Sequence, residues 1–382
     1  QQSLINAIGE KPGIISLSGK NINLLNASFI LAQNQGNLSG SSLNIKASEF
    51  LTLSGKSPNN EISSAIRSEV LQTGEAQGAN IIISAQKLQL RDQGQIQTGS
   101  FSESVNGLGG EININVSDTV DLNSGLISAS AFSEGSAGNI ELSTSQLQVY
   151  NAASLTSSTT GSGNGGNIKV NADFIKLAGS FNDVRSTISA SSLGTGDAGS
   201  LTISTKQLRV EEGASFSSSS FGNGNAGNIS IDASELITLD GKNSNFQSNN
   251  EPQGTTIRTS VQSIDPVAQQ IFGLPEVPTG NSGNLTINTP ILNLAQNSVI
   301  SVENQGTGNG GTLSINADQL NLEQVGKVTA ATASGQGGNI NLKTENLQID
   351  EGSEITATAE NNGDGGNVTI NTTSLIAKKN SQ

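Results

Sequence analysis

The chain has 382 residues, 18 basic and 32 acidic, for a formal charge of −14, and it holds no Cys, His, Trp or Met. Disulfide scaffolds, thiolate or imidazole metal sites and His-based triads are thereby excluded, and the negative charge disfavours nucleic acid and anionic membrane as partners. Tyr150 is the sole tyrosine, so aromatic platforms for sugars or bases are nearly absent, and no apolar run approaches the roughly 18 residues of a spanning helix, so no membrane insertion is expected.

Alternating runs begin near Ile14 and Leu43, and again at Ala79-Asn80-Ile81. From there a Gly-x-[Ile/Leu/Val] start recurs at Gly110, Gly138, Gly166, Gly199, Gly227, Gly283, Gly311, Gly338 and Gly366. Many of the steps, such as 110 to 138 and 338 to 366, are 28 residues. With 45 glycines and 7 prolines the composition alone would fit disorder, but a low-complexity linker does not hold Ile, Leu and Val in register. The count is 12 first strands, the last in an incomplete unit.

The unit from Gly338 to Asn367 shows the pattern. Ile340-x-Leu342-x-Thr344, Leu347-x-Ile349 and Ile355-x-Ala357-x-Ala359 are three period-two runs separated by Gly, Asn and acidic residues. Three units are longer, with insertions near 54–64, 178–186 and 240–255 before the third strand. A further insertion at 262–279 carries Asp265-Pro266, Ile271-Phe272, Pro275 and Pro278 and reads as a loop with one helical turn around Val267 to Ile271.

A unit this short cannot bury its apolar side alone, whereas stacked copies can. Each strand would then pair in parallel with its counterpart in the next copy, at roughly 4.8 Å per turn. The predicted fold is all-β: a right-handed parallel β-helix, a three-sided solenoid of about 12 turns, continuous from 1 to 382. A propeller needs longer units. Asn80, Asn139, Asn167, Asn228, Asn284, Asn339 and Asn367 recur at one position and are expected to bond side chain to side chain as a ladder. The adjacent glycines are expected to supply the backbone freedom of a sharp corner.

Units such as GNGGNIKVNADFIKLAGS (163–180) and GDGGNVTINTTSLIAKKNSQ (363–382) resemble the β-helical repeats of filamentous-haemagglutinin-like exoproteins of two-partner secretion systems, and among them the large cyanobacterial S-layer-family or β-strand-repeat proteins. The resemblance covers Ile14 to Ala377. It implies export through an outer-membrane β-barrel transporter and a place outside the cell or on its surface, with cell-surface glycans or neighbouring exoprotein chains as partners. The secretion domain of that family is not recognisable here. The start at Gln1 and the stop at Gln382, where a third strand is due, read as a fragment of a longer protein.

Several constellations could carry chemistry. Asp350-Glu351 with Glu354, and their counterpart Glu211-Glu212, are the best acidic pairs, but the same corner tolerates Arg91-Asp92 and Asn123-Ser124, which marks a solvated turn. Gly363-Asp364-Gly365-Gly366-Asn367 and Gly194-Thr195-Gly196-Asp197 faintly resemble calcium-binding repeats, yet Asn164 and Asn309 stand at equivalent positions without charge. No cofactor or catalytic residue is assigned. Asn-x-[Ser/Thr] matches such as Asn228-Ile229-Ser230 follow from the repeat itself.

The third strand offers the interaction face. Ser128 and Ser130, Thr156 and Ser158, Ser189 and Ser191, Ser217 and Ser219, and Thr356 and Thr358 should point outward as two columns of hydroxyls, interrupted by Arg258 and Glu303. In the 262–279 insertion Ile271, Phe272 and Leu274 form either a contact loop or an apolar anchor folded onto the rod. The expected function is a non-enzymatic extracellular structural or adhesin-like rod. The rival is a carbohydrate-active β-helix enzyme, a polysaccharide lyase or hydrolase, which a groove lined by several carboxylates and a basic residue would favour.

Overall fold

The computed structural model describes residues 3–10, 13–59, 61–70, 76–100, 107–132, 134–241, 247–248, 251–252, 254–361 and 363–378. The chain winds into a parallel β-helix with two 12-stranded sheets. Long strands, from Ile15–Leu25 to Val368–Ala377, make one sheet, and six-residue strands, from Leu4–Gly9 to Glu354–Ala359, make the other. Each strand pairs in parallel with the equivalent strand of the next turn, as Ile140–Tyr150 does with Ile168–Ala178.

The first and second runs of each unit, expected as separate strands, are one continuous strand with a bend. In Asn339–Ile349, Ile340, Leu342 and Thr344 face inward; the phase then slips by one residue, and Leu347 and Ile349 face inward. The ladder passes over Asp318 and Glu345 at the slip. Thr344 stabilises the bend: its hydroxyl sits 3.1 Å from the Asp318 carbonyl and 3.0 Å from that of Asn346. Thr205 and Thr372 do the same in their turns. Three apolar columns therefore survive on two sheets. Pro290 occupies this fold line, a position with no ladder partner, where a missing N–H costs nothing.

Leu4–Gly9 was not expected. It opens the short sheet by pairing with Phe29–Asn34 and has no glycine-started long strand before it to announce it.

The core is a column of Ile, Leu and Val stacked turn upon turn, with Phe216 fully buried among them. The short strands also turn hydroxyls inward. Thr98, Ser157, Ser218 and Thr259 are buried and donate to the carbonyls of Gly110, Gly138, Gly199 and Gly227. The inner face is thus apolar where strands meet strands, and polar where the short strand meets the glycine-rich return.

Those glycines serve a different purpose from the one expected. Gly138, Gly166, Gly199 and Gly227 do not take the left-handed conformation; a Cβ on any of them would overlap the carbonyl oxygen of the equivalent glycine one turn earlier. Space, not backbone freedom, demands glycine there. Left-handed residues sit instead at the corner between long and short strands, at Asn26 and Ala27, Asn151 and Ala152, Gln296 and Asn297, and Gln324 and Val325.

The asparagine ladder is also built differently. Each side-chain oxygen accepts a backbone N–H of the next turn: Asn139 from Asn167 at 2.8 Å, Asn228 from Asn284 at 2.8 Å, and Asn339 from Asn367 at 3.0 Å. A second ladder runs through Asn164, Asp197, Asn225, Asn281 and Asn309. Only an acceptor oxygen is required, which is why Asp197 can stand among the asparagines.

The insertions carry their own structure. Ser180–Phe181 pairs antiparallel with Val184–Arg185, and Gln247–Ser248 with Glu251–Pro252. The 262–279 segment holds a helix, Pro266–Phe272. Asp265 accepts from the N–H groups of Val267 and Ala268 at 3.1 Å each, proline sits in the first turn, and Gly273 closes the helix in a left-handed cap. The prolines flank and start a helix rather than marking loop alone.

Candidate functional site

On the third-strand face, Ser128, Ser189, Ser191 and Ser219 are buried, while Ser130, Thr156, Ser158, Ser217 and Thr356 are half-buried and Thr358 is exposed. Small side chains on a flat sheet lie close enough to bond one another. Ser128 bonds Ser130, and Ser189 bonds Ser191, each at 2.7 Å; Thr156 reaches Ser128 at 3.3 Å, Ser217 reaches Ser189 at 3.0 Å and Ser219 reaches Ser260 at 2.9 Å. These hydroxyls form a network within the face, which leaves fewer of them for an outside ligand.

Arg258 continues the column of Ser217 and precedes Ser301 in it. The Arg185 guanidinium from the 180–185 hairpin approaches the same face, 3.4 Å from the Thr256 hydroxyl. Burial, and then the like charge of Arg258, push the Arg185 pKa down to about 10.

The 262–279 segment divides. Ile271, at 71% exposure, and Phe272 stand clear of the rod. Leu274 is half-buried and lies against Gly222.

The acidic corners are turns. Glu212 and Glu351 adopt the left-handed conformation, which short turns impose. Glu211 pairs with Lys176 at 3.0 Å and Asp350 with Lys378 at 2.7 Å. The hydrogen bond from Lys378 holds the Asp350 carboxyl below its ordinary range. Asp197, from the calcium-like stretch, is a ladder member whose carboxylate accepts the Asn225 N–H at 2.7 Å.

A groove lies elsewhere, along the fold line of the long sheet. It is an open trough of about 580 Å³ across five successive long strands. One wall is the outward row Asn171, Ser204, Asp232, Asn288 and Asn316, which are ladder partners of one another. The other is the row over which the pairing slips: Asp173, Lys206, Ser234, Pro290 and Asp318. Between them run Ala172, Thr205, Ala233, Thr289 and Ala317. Alanines 172, 233 and 317 are buried in the core, so the floor there is largely main chain. Lys206 pairs with Asp173 at 3.2 Å, and Asp232 accepts from the Asn288 amide at 2.7 Å. The alternation of polar residues at these positions is visible in the sequence, but the bend that turns two rows into walls is not.

A smaller polar cluster, about 140 Å³, includes Lys87, Asp121 and Tyr150. Arg91 bonds Asp121 at 2.8 Å, and burial followed by Asp121 raises the Tyr150 pKa.

The chain is a parallel β-helix solenoid with a polar groove on one flank. Comparison with protein-family models, with curated proteins and with solved structures gives no match, so the functional reading rests on the chain's own residues.

Proposed function

We propose that this chain is the rod of a secreted exoprotein of filamentous-haemagglutinin-like, cyanobacterial S-layer-family type, exported through an outer-membrane β-barrel partner and held at or released from the cell surface. The observation that carries the reading is the unbroken ladder: two sheets of 12 parallel strands share one continuous apolar core, so bending requires breaking many bonds at once. The rod acts by geometry, holding its faces and insertion loops away from the cell. The charge of −14 and the absence of Cys suit an exported, soluble surface. Glycans or neighbouring exoprotein chains are its partners, met at the Thr356 and Thr358 end of the hydroxyl face, at Ile271 and Phe272, or in the groove.

Antibody raised against the 262–279 segment should label intact source cells or their medium; signal confined to lysed cells would remove the proposal. Replacing Thr356 and Thr358 with Lys should weaken surface attachment while leaving the fold intact, and unchanged attachment would remove that face from it.

The second reading, a polysaccharide-cleaving enzyme, has the groove in its favour. Asp173 and Asp232 lie two strands apart, as do Asp232 and Asp318, which is about 10 Å along the axis, at or beyond the widest spacing of paired glycosidase carboxylates. Asp173 is already ion-paired and Asp232 already hydrogen-bonded. That arrangement suits holding a chain better than cutting one. A polysaccharide-cleavage screen decides it: release of unsaturated or reducing ends would establish the enzyme.

A further inference from the structure

The fold-line groove has a shape, a repeat and a charge, and together these specify a ligand. Its walls are residues n and n+2 of each strand, so they stand about 7 Å apart, and its five strands give it a length of about 19 Å. Polar side chains recur at about 4.8 Å along the whole of the first wall, and along the second except at Pro290. That step is close to the advance of one unit in an extended, equatorially linked hexose polymer, and much longer than the rise of an extended peptide, about 3.3 Å per residue. At Ala172, Ala233 and Ala317 the floor is largely main chain, a neutral surface on which the C–H face of a pyranose can lie. The walls offer amide and carboxylate groups at the height of ring substituents.

The charge selects among polysaccharides. Lys206 is neutralised by Asp173 at 3.2 Å. Asp232 and Asp318 bring two further negative charges, and among the lining residues no other cation answers them. Asp232 uses one oxygen on the Asn288 amide, and its other oxygen remains available to a donor. A sulfated or uronic polymer would be repelled, whereas an ammonium group would be held.

We propose that this groove binds a stretch of extended amino-sugar polysaccharide, with Asp232 and Asp318 accepting from ring ammonium groups and Asn288 and Asn316 bonding neighbouring hydroxyls. The proposal names the ligand class of the glycan-contacting rod above and rests on that reading only for its biological setting, since binding in solution is measurable wherever the protein resides.

The test is calorimetric titration of the whole chain with a β-1,4-linked glucosamine hexamer, its fully N-acetylated form, the glucose hexamer and an oligo-arginine peptide. The glucosamine hexamer should bind, more weakly as salt rises, and the others should bind about tenfold more weakly or not at all, the scale of one charge-assisted hydrogen bond. Asp318→Lys alone, and Asp232→Lys with Asp318→Lys, should each reduce hexamer affinity about tenfold or more, with the far-ultraviolet circular dichroism unchanged. The single variant keeps the test informative if loss of the Asp232–Asn288 bond disturbs the fold. No hexamer binding, equal binding of the neutral hexamers or of oligo-arginine, or wild-type affinity in Asp318→Lys would each overturn the proposal. None of these outcomes bears on where the rod resides, which antibody labelling decides separately.

Discussion

The Ser218 hydroxyl reaches the carbonyl of Gly199 from inside the solenoid, at 2.8 Å. The same oxygen accepts the N–H of Gly227 at 2.9 Å, so one buried side chain joins its own strand to the glycine returns of two turns. Ser157 is built alike, with Gly138 and Gly166. A solenoid has no long-range packing to correct a slipped turn, so such bonds hold the return loops in step with the strands.

Ser218→Ala should therefore cost about 1–3 kcal/mol, since it removes a partner from buried polar groups on the Gly199 and Gly227 main chain. Denaturant unfolding measures the loss, and hydrogen exchange should place it at the Gly199 and Gly227 returns. A cost no larger than that of a surface Ser→Ala control would show the bond to be incidental.

Gly227→Ala and Gly365→Ala should differ sharply. A Cβ on Gly227 would overlap the Gly199 carbonyl, and the backbone would have to part; a Cβ on Gly365 meets nothing within 4 Å. The first variant is expected to lose about 3 kcal/mol or more, or to open at that turn under limited proteolysis, and the second to stay near wild type. Equal behaviour of the two would refute the account of why glycine recurs.

Val325 is a β-branched residue at φ 68°, where side-chain crowding is worst. Its counterpart one turn earlier is Asn297, at φ 60°. Val325→Asn should raise stability by about 1 kcal/mol, because asparagine tolerates the left-handed region that valine resists. The midpoint of urea unfolding should move upward; a fall would mean that the exposed valine contributes packing that outweighs the strain.

The Asp350–Lys378 pair sets a pH window for the last turn. Lys378 depresses the Asp350 pKa chiefly through their hydrogen bond, and the same bond raises that of Lys378. The Asp350 contribution is complete above its unfolded value, about 3.9, and is lost as pH falls through its depressed folded value. The Lys378 contribution is complete below about 10.4 and is lost as pH rises through its raised folded value. Exchange protection of the strand Val368–Ala377 should be level between these limits and fall outside them, and Asp350→Asn should abolish both falls. Unchanged pH dependence in that variant would assign it to other groups.

Much of the fold was legible in the residues. Strand positions, turn number and inward columns follow from period-two alternation and a repeating glycine start, because each turn sees only its neighbours and so must carry its own pattern. The first strand, Leu4–Gly9, is a short strand with no glycine-started long strand before it in this sequence, so the repeat does not announce it. The helix at Pro266–Phe272 was half seen: its Asp-Pro opening reads equally as a loop until the Gly273 cap is in place. The contact loop split, since only Leu274 finds a glycine, Gly222, flat enough to lie against.

The candidate sites were less legible. Outward hydroxyls such as Ser189 and Ser217 could be counted from alternation, but whether they face a ligand or one another depends on a separation that only the register sets. The groove was invisible for the same reason. Asn171, Asp232 and Asp318 lie up to 147 positions apart in the numbering, and nothing local marks them as neighbours.

By itself the sequence determined the repeat, the parallel stacking and the apolar core, since period-two burial and turn chemistry are properties of short segments. Tertiary structure alone decided that two of the three runs are one bent strand, that the glycine opening each unit is required for space rather than conformation, and that asparagine bonds main chain across turns. It also brought Asp232 and Asp318 onto one groove. Each of these depends on how closely one turn approaches the next, a distance no single turn contains.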